Sequence, residues 1–281
     1  MKKSNSTLIA GPWVGEFGWE LFAWQAYIRS LSRSYQKTVI ICRSNSAELY
    51  KDFADQFVLC DERTGIVDSY YMHGFDFNSR IKTIILKNNL HKENNISIIL
   101  PRRIGSPPHT HYTESFKFGN INVVPEYILF NDNDRKYKKY DFIFHVRDRD
   151  LVRGQDNWQF DKWETLKNLL NTNNDKTFAC VGTKNSSGLV SETDDLRDIP
   201  LRELFGTLNN AKYVMGPSSG PMHLSSLCGA KHIVWGSRPL SLDRYEENWN
   251  PHKTPVLFLD EHSWHPSAEY VYEKYMDWKH D

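Results

Sequence analysis

The sequence predicts an α/β protein of two domains, each built on a parallel sheet. Three observations predict it. Short apolar runs alternate with stretches of helical periodicity along most of the chain, the pattern of strand–helix–strand units. A polar run, Asn131-Asp132-Asn133-Asp134-Arg135-Lys136-Tyr137-Lys138-Lys139, interrupts the alternation and has linker composition. The length, 281 residues, suits one large domain or two modest ones, with enough chain for a sizeable core. The expected division is residues 1–135, residues 136–262, and a terminal helix over 263–281 that crosses back to the first domain.

The elements follow in chain order. Leu8-Ile9-Ala10 reads as the first strand, and Gly11-Pro12-Trp13-Val14-Gly15 turns the chain. Residues 19–33 have helical periodicity, 38–42 form a strand, 46–57 a helix and 58–60 a further short strand. Residues 96–100 read as a strand, followed by an irregular segment over 101–120. Past the polar run, 140–146 is a strongly apolar strand, 163–170 a helix and 177–181 a strand. A helix over 201–209 precedes Tyr213-Val214-Met215, an apolar run with the look of a buried strand. Next come a glycine/serine turn, a helix over 222–228 ending at Gly229, and the apolar run His232-Ile233-Val234-Trp235. That order is a right-handed strand–helix–strand unit. Residues 267–279 form a helix rich in aromatics.

Composition excludes several classes. Lys and Arg total 35, Asp and Glu total 35, so no field of one sign favours nucleic acid or a membrane surface over the whole molecule. Aromatic residues make up 14% of the chain, with nine Trp, and such side chains build cores and line sugar and base sites. The four cysteines, Cys42, Cys60, Cys180 and Cys228, show no C-x-x-C spacing and read as buried thiols in a reducing compartment. The apolar run behind the basic N-terminus is too short for a signal sequence, and no later run approaches a membrane span. The expectation is a cytoplasmic protein.

Residues 211–236 carry the most functional information. The turn Gly216-Pro217-Ser218-Ser219-Gly220-Pro221 places small residues and backbone N–H groups at a helix start, where the dipole is positive and the first N–H groups lack helical partners. In an open parallel sheet this is also the strand end at which ligands bind. The segment resembles the donor-site motif of the ADP-heptose:lipopolysaccharide heptosyltransferases and related GT-B glycosyltransferases. The likeness runs from Ile199-Pro200-Leu201-Arg202-Glu203-Leu204 through Gly216, Ser218, Ser219, Gly220 and His223 to Gly236. Ser218 stands where that family usually has an aspartate.

Two further stretches extend the resemblance. The first turn, Gly15-Glu16-Phe17-Gly18-Trp19-Glu20, is similar both to the Gly-Asp turn of heptosyltransferases and to the G-x-F-G loop of GT-B fucosyltransferases. The resemblance implies a catalytic base here, because a transferase must take a proton from the attacking hydroxyl. Glu16 lies in the turn and Glu20 one helical turn on. The Gly-acid pair favours Glu16 and the helix favours Glu20, the other carboxylate holding structure. Phe144-His145-Val146-Arg147 resembles the H-x-R motif of fucosyltransferases, which implies that Arg147 holds the donor diphosphate and supports the leaving group. A guanidinium suits that task, being always charged and able to bind phosphate with two parallel N–H bonds. Arg149 and Arg153 follow closely.

Asp148-Arg149-Asp150 also fits the D-x-D pattern of metal-binding transferases, but three-residue matches are frequent by chance, and no metal or cofactor is expected. Gly15, Gly18, Gly182 and Thr183 complete the expected donor contacts, the last two at a strand end suited to a base or ribose. Asp194 and Asp195 are candidates for ribose hydroxyls, with a plain loop role the equal alternative. Alternating His109 and His111 have no third metal ligand nearby. With Arg102 and Arg103 they mark an irregular, mildly basic segment expected to bind the acceptor.

The resemblance implies a GT-B fold, two Rossmann-like domains whose parallel sheets face a central cleft. It implies an inverting, metal-independent glycosyltransferase that takes a nucleoside-diphosphate sugar and delivers the sugar to a glycan or lipid-linked glycan. Transfer to a hydroxylated base in DNA is an alternative that the balanced charge weakens. A sugar-nucleotide epimerase on the same fold, or a non-catalytic binding module, are the others.

Overall fold

A computed structural model describes residues 4–62, 76–101, 116–118, 121–132, 135–150, 153–237 and 244–279. The chain divides into two compact units, Met1–Tyr127 and Ile128–Asp281, ahead of the boundary expected at 135.

The first unit holds β1 (Ser4–Ala10), α1 (Phe17–Ala23), α2 (Gln25–Ser32), β2 (Tyr35–Cys42), β3 (Gln56–Leu59), α3 (Phe77–Lys87) and β4 (Ile96–Ile99). A two-stranded antiparallel pair follows, β5 (Phe116–Phe118) and β6 (Ile121–Val123). The four-stranded sheet has the order β3-β2-β1-β4, and every pairing is parallel. Leu8, Ile9, Ala10, Val39, Ile40 and Ile41 are fully buried, as near-continuous apolar strands of a two-sided parallel sheet should be. The chain leaves β1 toward β2 on one side and returns to β4 on the other. The carboxyl end of β1 is therefore a topological switch point, and the 11–16 turn leaves from it.

Two expected helices differ. Residues 19–33 form two helices broken at Trp24, whose backbone lies at φ −135° and ψ −68°. The Gln25 amide donates to the Leu21 carbonyl at 2.9 Å and satisfies a group that the break exposes. Over 46–57 only a 3₁₀ turn forms, Ser44–Tyr50, before β3 begins at Gln56. Asp55 ends it: its carboxylate accepts from Thr38 N–H at 2.7 Å and its own N–H donates to Thr38 O at 2.9 Å, pulling the chain back to the sheet.

The second unit holds β7 (Phe142–Phe144), α4 (Phe160–Leu170), β8 (Phe178–Gly182), β9 (Asp194–Arg197), α5 (Leu201–Asn209), β10 (Tyr213–Pro217), α6 (Gly220–Leu227), β11 (His232–Trp235), β12 (Val256–Leu259) and α7 (Ala268–Trp278). Its six strands run in the order β12-β11-β10-β7-β8-β9, all parallel. Again the first strand, β7, lies inside the sheet, with β8 on one side and β10 on the other. The switch point therefore falls between the carboxyl ends of β7 and β10.

Three features of the second unit bear on the sequence reading. Asp194 and Asp195 are not in a loop but on edge strand β9. There Asp194 accepts from Lys138 at 2.7 Å and Tyr140 at 2.6 Å, and Asp195 accepts from Arg197. The polar run after 130 is not free of the second unit. Asp132 is tied to Tyr137 and Arg202, and Phe130 stacks on Phe205 at 4.7 Å. The terminal helix packs on the second unit: Ala268, Val271 and Tyr275 share one face and enter its core, with Tyr275 edge-on to Phe142 at 5.4 Å.

Candidate functional site

Each sheet presents irregular chain at its switch point, one turn in the first unit and two neighbouring segments in the second. In the first unit, Gly11 leaves β1 at φ +109°, a conformation that favours glycine, and a Cβ there would collide with the Ile41 carbonyl. Trp13 donates its indole N–H to the Glu16 carbonyl at 3.3 Å, and Glu16 is the residue preceding α1. Glu16 is half-buried, as are Phe17, Gly18 and Trp19.

Glu20 has a different environment. It is fully buried and ion-paired with the buried Arg43, while it accepts from Ser46 Oγ at 2.9 Å and Tyr50 Oη at 2.7 Å. Arg43 also donates to the Gly15 carbonyl at 2.8 Å. Burial first, and the Glu20 charge second, hold the Tyr50 hydroxyl well above its ordinary value, so it remains a donor. Arg43 had no signal in the sequence beyond its place after β2.

In the second unit the His145–Arg147 segment follows β7 and the Ser218–Ser219 turn follows β10. His145 N–H donates to Met215 O at 3.0 Å, which zips the two strand ends together. Burial, foremost, lowers His145 to about 4, so its ring is neutral; Nδ1 donates to Val181 O at 3.2 Å. Gly182 ends β8 at φ +129°, and a Cβ there would collide with Ser187 and stand 3.0 Å from His145 Nδ1. Thr183 turns to Ser186, hydroxyl to hydroxyl at 2.6 Å.

The arginines divide by exposure. Arg147 is buried; its guanidinium donates to Arg153 O at 3.0 Å and lies 3.8 Å from the Asp156 carboxylate. Arg149 is half-buried, and Asn157 clasps its backbone through N–H at 3.2 Å and C=O at 2.9 Å. Arg153 has a side chain 48% exposed and a left-handed backbone at φ +61°, and its Nε donates to Asp156 at 2.7 Å. Asp148 and Asp150 are exposed, and no group of three or more His, Cys, Asp or Glu suited to a metal ion occurs among the described residues.

At the glycine/serine turn, Pro221 has no N–H and His223 N–H bonds Ser219 O, so Gly220 and Met222 supply the first-turn N–H groups of α6 that the helix does not use. Ser219 N–H donates to Tyr245 Oη at 3.3 Å, and Tyr245 Oη donates to Ser218 Oγ at 3.3 Å. The His223 ring does not reach the surface. It is buried, stacked on Tyr245 at 4.4 Å and edge-on to Trp249, and burial holds its pKa well below the ordinary value. His223 is thus a neutral strut behind the turn, and Tyr245 braces the turn from a segment that carries no motif. Arg102, Arg103, His109 and His111, expected to bind the acceptor, lie outside the described residues.

No protein-family model and no curated protein sequence matches the chain. Solved structures do. The ADP-heptose lipopolysaccharide heptosyltransferase II of E. coli superposes with a TM-score of 0.62 at 9% identity, over 97% of this chain and 98% of that one. E. coli heptosyltransferase WaaC, solved with ADP-2-deoxy-2-fluoro heptose, gives 0.57 at 10% identity over 97% and 99%. A family 9 glycosyl transferase from Veillonella parvula gives 0.56 at 8% identity over 98% and 90%. The fold is that of the GT-B glycosyltransferases. No helix among the described residues is long and apolar enough to cross a membrane.

Proposed function

We propose that this protein transfers a sugar from a nucleoside-diphosphate sugar to an acceptor hydroxyl, with inversion at the anomeric carbon and without a metal ion. The observation that carries the reading is positional. In both sheets the turns that bear chemistry, Glu16 in the first and Ser218–Gly220 with the arginine loop in the second, leave from the switch point of a fold shared with glycosyltransferases over nearly the whole chain. The α6 N–H groups and the half-exposed Arg149 and Arg153 are suited to a diphosphate. Buried Arg147 anchors the arginine loop.

The acceptor oxygen attacks the anomeric carbon as the bond from that carbon to the diphosphate oxygen breaks. The bond's electron pair leaves with the diphosphate, whose growing charge the arginines and helix terminus stabilise. The hydroxyl proton passes to the Glu16 carboxylate, and attack opposite to the leaving group inverts the centre. Glu20 serves as a positioning residue, because its oxygens are committed to Arg43, Ser46 and Tyr50. The acceptor is a glycan or lipid-linked glycan.

Thermal unfolding with ADP-, UDP-, GDP- and CDP-sugars tests the reading. One nucleotide class is expected to stabilise the protein, by about 2.7 kcal/mol at a hundred times its dissociation constant. Release of that nucleoside diphosphate is expected to persist in excess EDTA. Stabilisation by none of the panel would overturn the reading, and loss in EDTA with rescue by Mn²⁺ would overturn its metal-independent part.

A further inference from the structure

We infer that Trp264, on the turn before α7, is a positioning residue that holds Arg153 for an anionic diphosphate at the carboxyl edge of the second sheet. The inference rests on the proposed donor site. The half-buried Trp264 ring has the Arg153 guanidinium 5.0 Å from its centroid and that of Arg147 at 5.4 Å. Its location ties those cations to the glycine/serine turn. A Cβ on Gly236, the residue after β11, would stand 3.2 Å from Ser218 Cβ and 3.4 Å from Trp264 Cη2. Trp264 and Ser218 therefore flank the same glycine.

The turn that carries Trp264 is fixed. Buried Trp158 donates its indole N–H to Pro266 O at 2.8 Å, and Lys162 Nζ donates to Pro266 O at 3.2 Å and His265 O at 3.3 Å. Arg153 needs such a partner. Its backbone is in the left-handed region, Asp156 pairs with its Nε, and its side chain is 48% exposed. A long exposed side chain loses much rotamer freedom when it binds, and a rigid aromatic face against the guanidinium removes part of that freedom in advance.

Calorimetric titration of the full chain with inorganic pyrophosphate tests this. The variants are Trp264→Leu, Trp264→Phe, Arg153→Gln and the double variant Trp264→Leu/Arg153→Gln. Trp264→Leu is expected to weaken pyrophosphate about three- to tenfold, with Trp264→Phe closer to wild type, from the strength of a half-exposed cation–π contact. In the Arg153→Gln background the same change is expected to cost less than about twofold, a coupling that general loss of structure would not produce. Nucleoside without phosphate is the second probe. If Trp264→Leu lowers nucleoside and not pyrophosphate affinity, the ring stacks a base and the inference is overturned. Equal losses with and without Arg153, or no pyrophosphate binding by wild type, overturn it as well. Sugar-transfer assays are separate: coupling without transfer would leave this anion site standing and sink the proposed activity, whereas transfer without coupling would do the reverse.

Discussion

Glu16, just before α1, and Glu20, one turn into it, are divided in their work by their surroundings. Glu16 is half-buried at the start of the helix, while the Glu20 carboxylate is fully enclosed by Arg43, Ser46 and Tyr50. The Glu16→Gln change keeps the size of the side chain and removes its basic oxygen, so turnover is expected to fall roughly a hundred- to ten-thousand-fold with donor affinity nearly intact. Glu20→Gln strands the Arg43 cation in a dry site. Breaking such a pair costs about 3–5 kcal/mol, and a urea melt is expected to show a loss on that scale. Because Arg43 also grips the Gly15 carbonyl, activity in Glu20→Gln should fall through the loop that presents Glu16. Measuring urea midpoints beside turnover for both variants decides the matter. A stable, inactive Glu20→Gln protein beside an active Glu16→Gln protein would exchange the two roles. The sequence left these carboxylates open because the difference lies in Arg43, Ser46 and Tyr50, which reach Glu20 only through tertiary structure.

Among the elements, α6 carries the donor reading, and Gly220 is its first residue. Gly220→Val puts a β-branched side chain at the mouth of the first turn, where phosphate oxygens would approach the N–H groups. Nucleoside-diphosphate affinity is expected to drop roughly tenfold, the worth of a partly buried helix-terminus contact of about 1–2 kcal/mol, with an unchanged melting temperature. Full affinity in that folded variant would remove α6 from the site. This element was legible in the sequence because a fully buried strand reads as an unbroken apolar run and Gly/Ser/Pro punctuate it; α5 and β11 occupy the expected 201–209 and 232–235. Legibility ended where tertiary contacts overrule local pattern. The break at Trp24 lies inside an apolar helical period, and the 46–57 stretch is shortened by Asp55 pairing with Thr38. Edge strand β9 reads Asp-Asp-Leu-Arg, too polar for a strand, because edge strands tolerate charge and these side chains are paired. At the site, Tyr245, Arg43 and Trp264 sit far in sequence from the turns they support and belong to no motif.

On the scale of the whole molecule, the buried histidines of the second unit set an expected response to acid. Among its described residues, His145, His223 and His232 are buried and neutral. Burial, the largest cause for each, lowers His145 and His232 from 6.5 to about 4 and His223 well below 6.5. All three are wired into the structure that forms the site: His145 bridges β7 and β8, His223 stacks on Tyr245, and His232 joins Ala230 O and Ser226 Oγ. In the unfolded chain each would protonate near pH 6.5. A folded-state value below the unfolded one means that the unfolded state binds the extra proton first. Their contribution is therefore whole above about pH 6.5 and is lost as the pH falls from there toward 4, at about 1.4 kcal/mol per pH unit for each histidine. Urea unfolding at pH 7.5, 6.0 and 5.0, followed by tryptophan fluorescence, is expected to show a steep loss of stability below pH 6.5. Replacing His232 with Gln, which keeps an amide to face Ser226 and Ala230 but cannot protonate, should reduce the slope by about one histidine's share while costing some stability at pH 7.5. A flat profile between pH 7.5 and 5.0 would show that the folded protein takes up the same protons as the unfolded chain, so that burial does not hold these rings neutral.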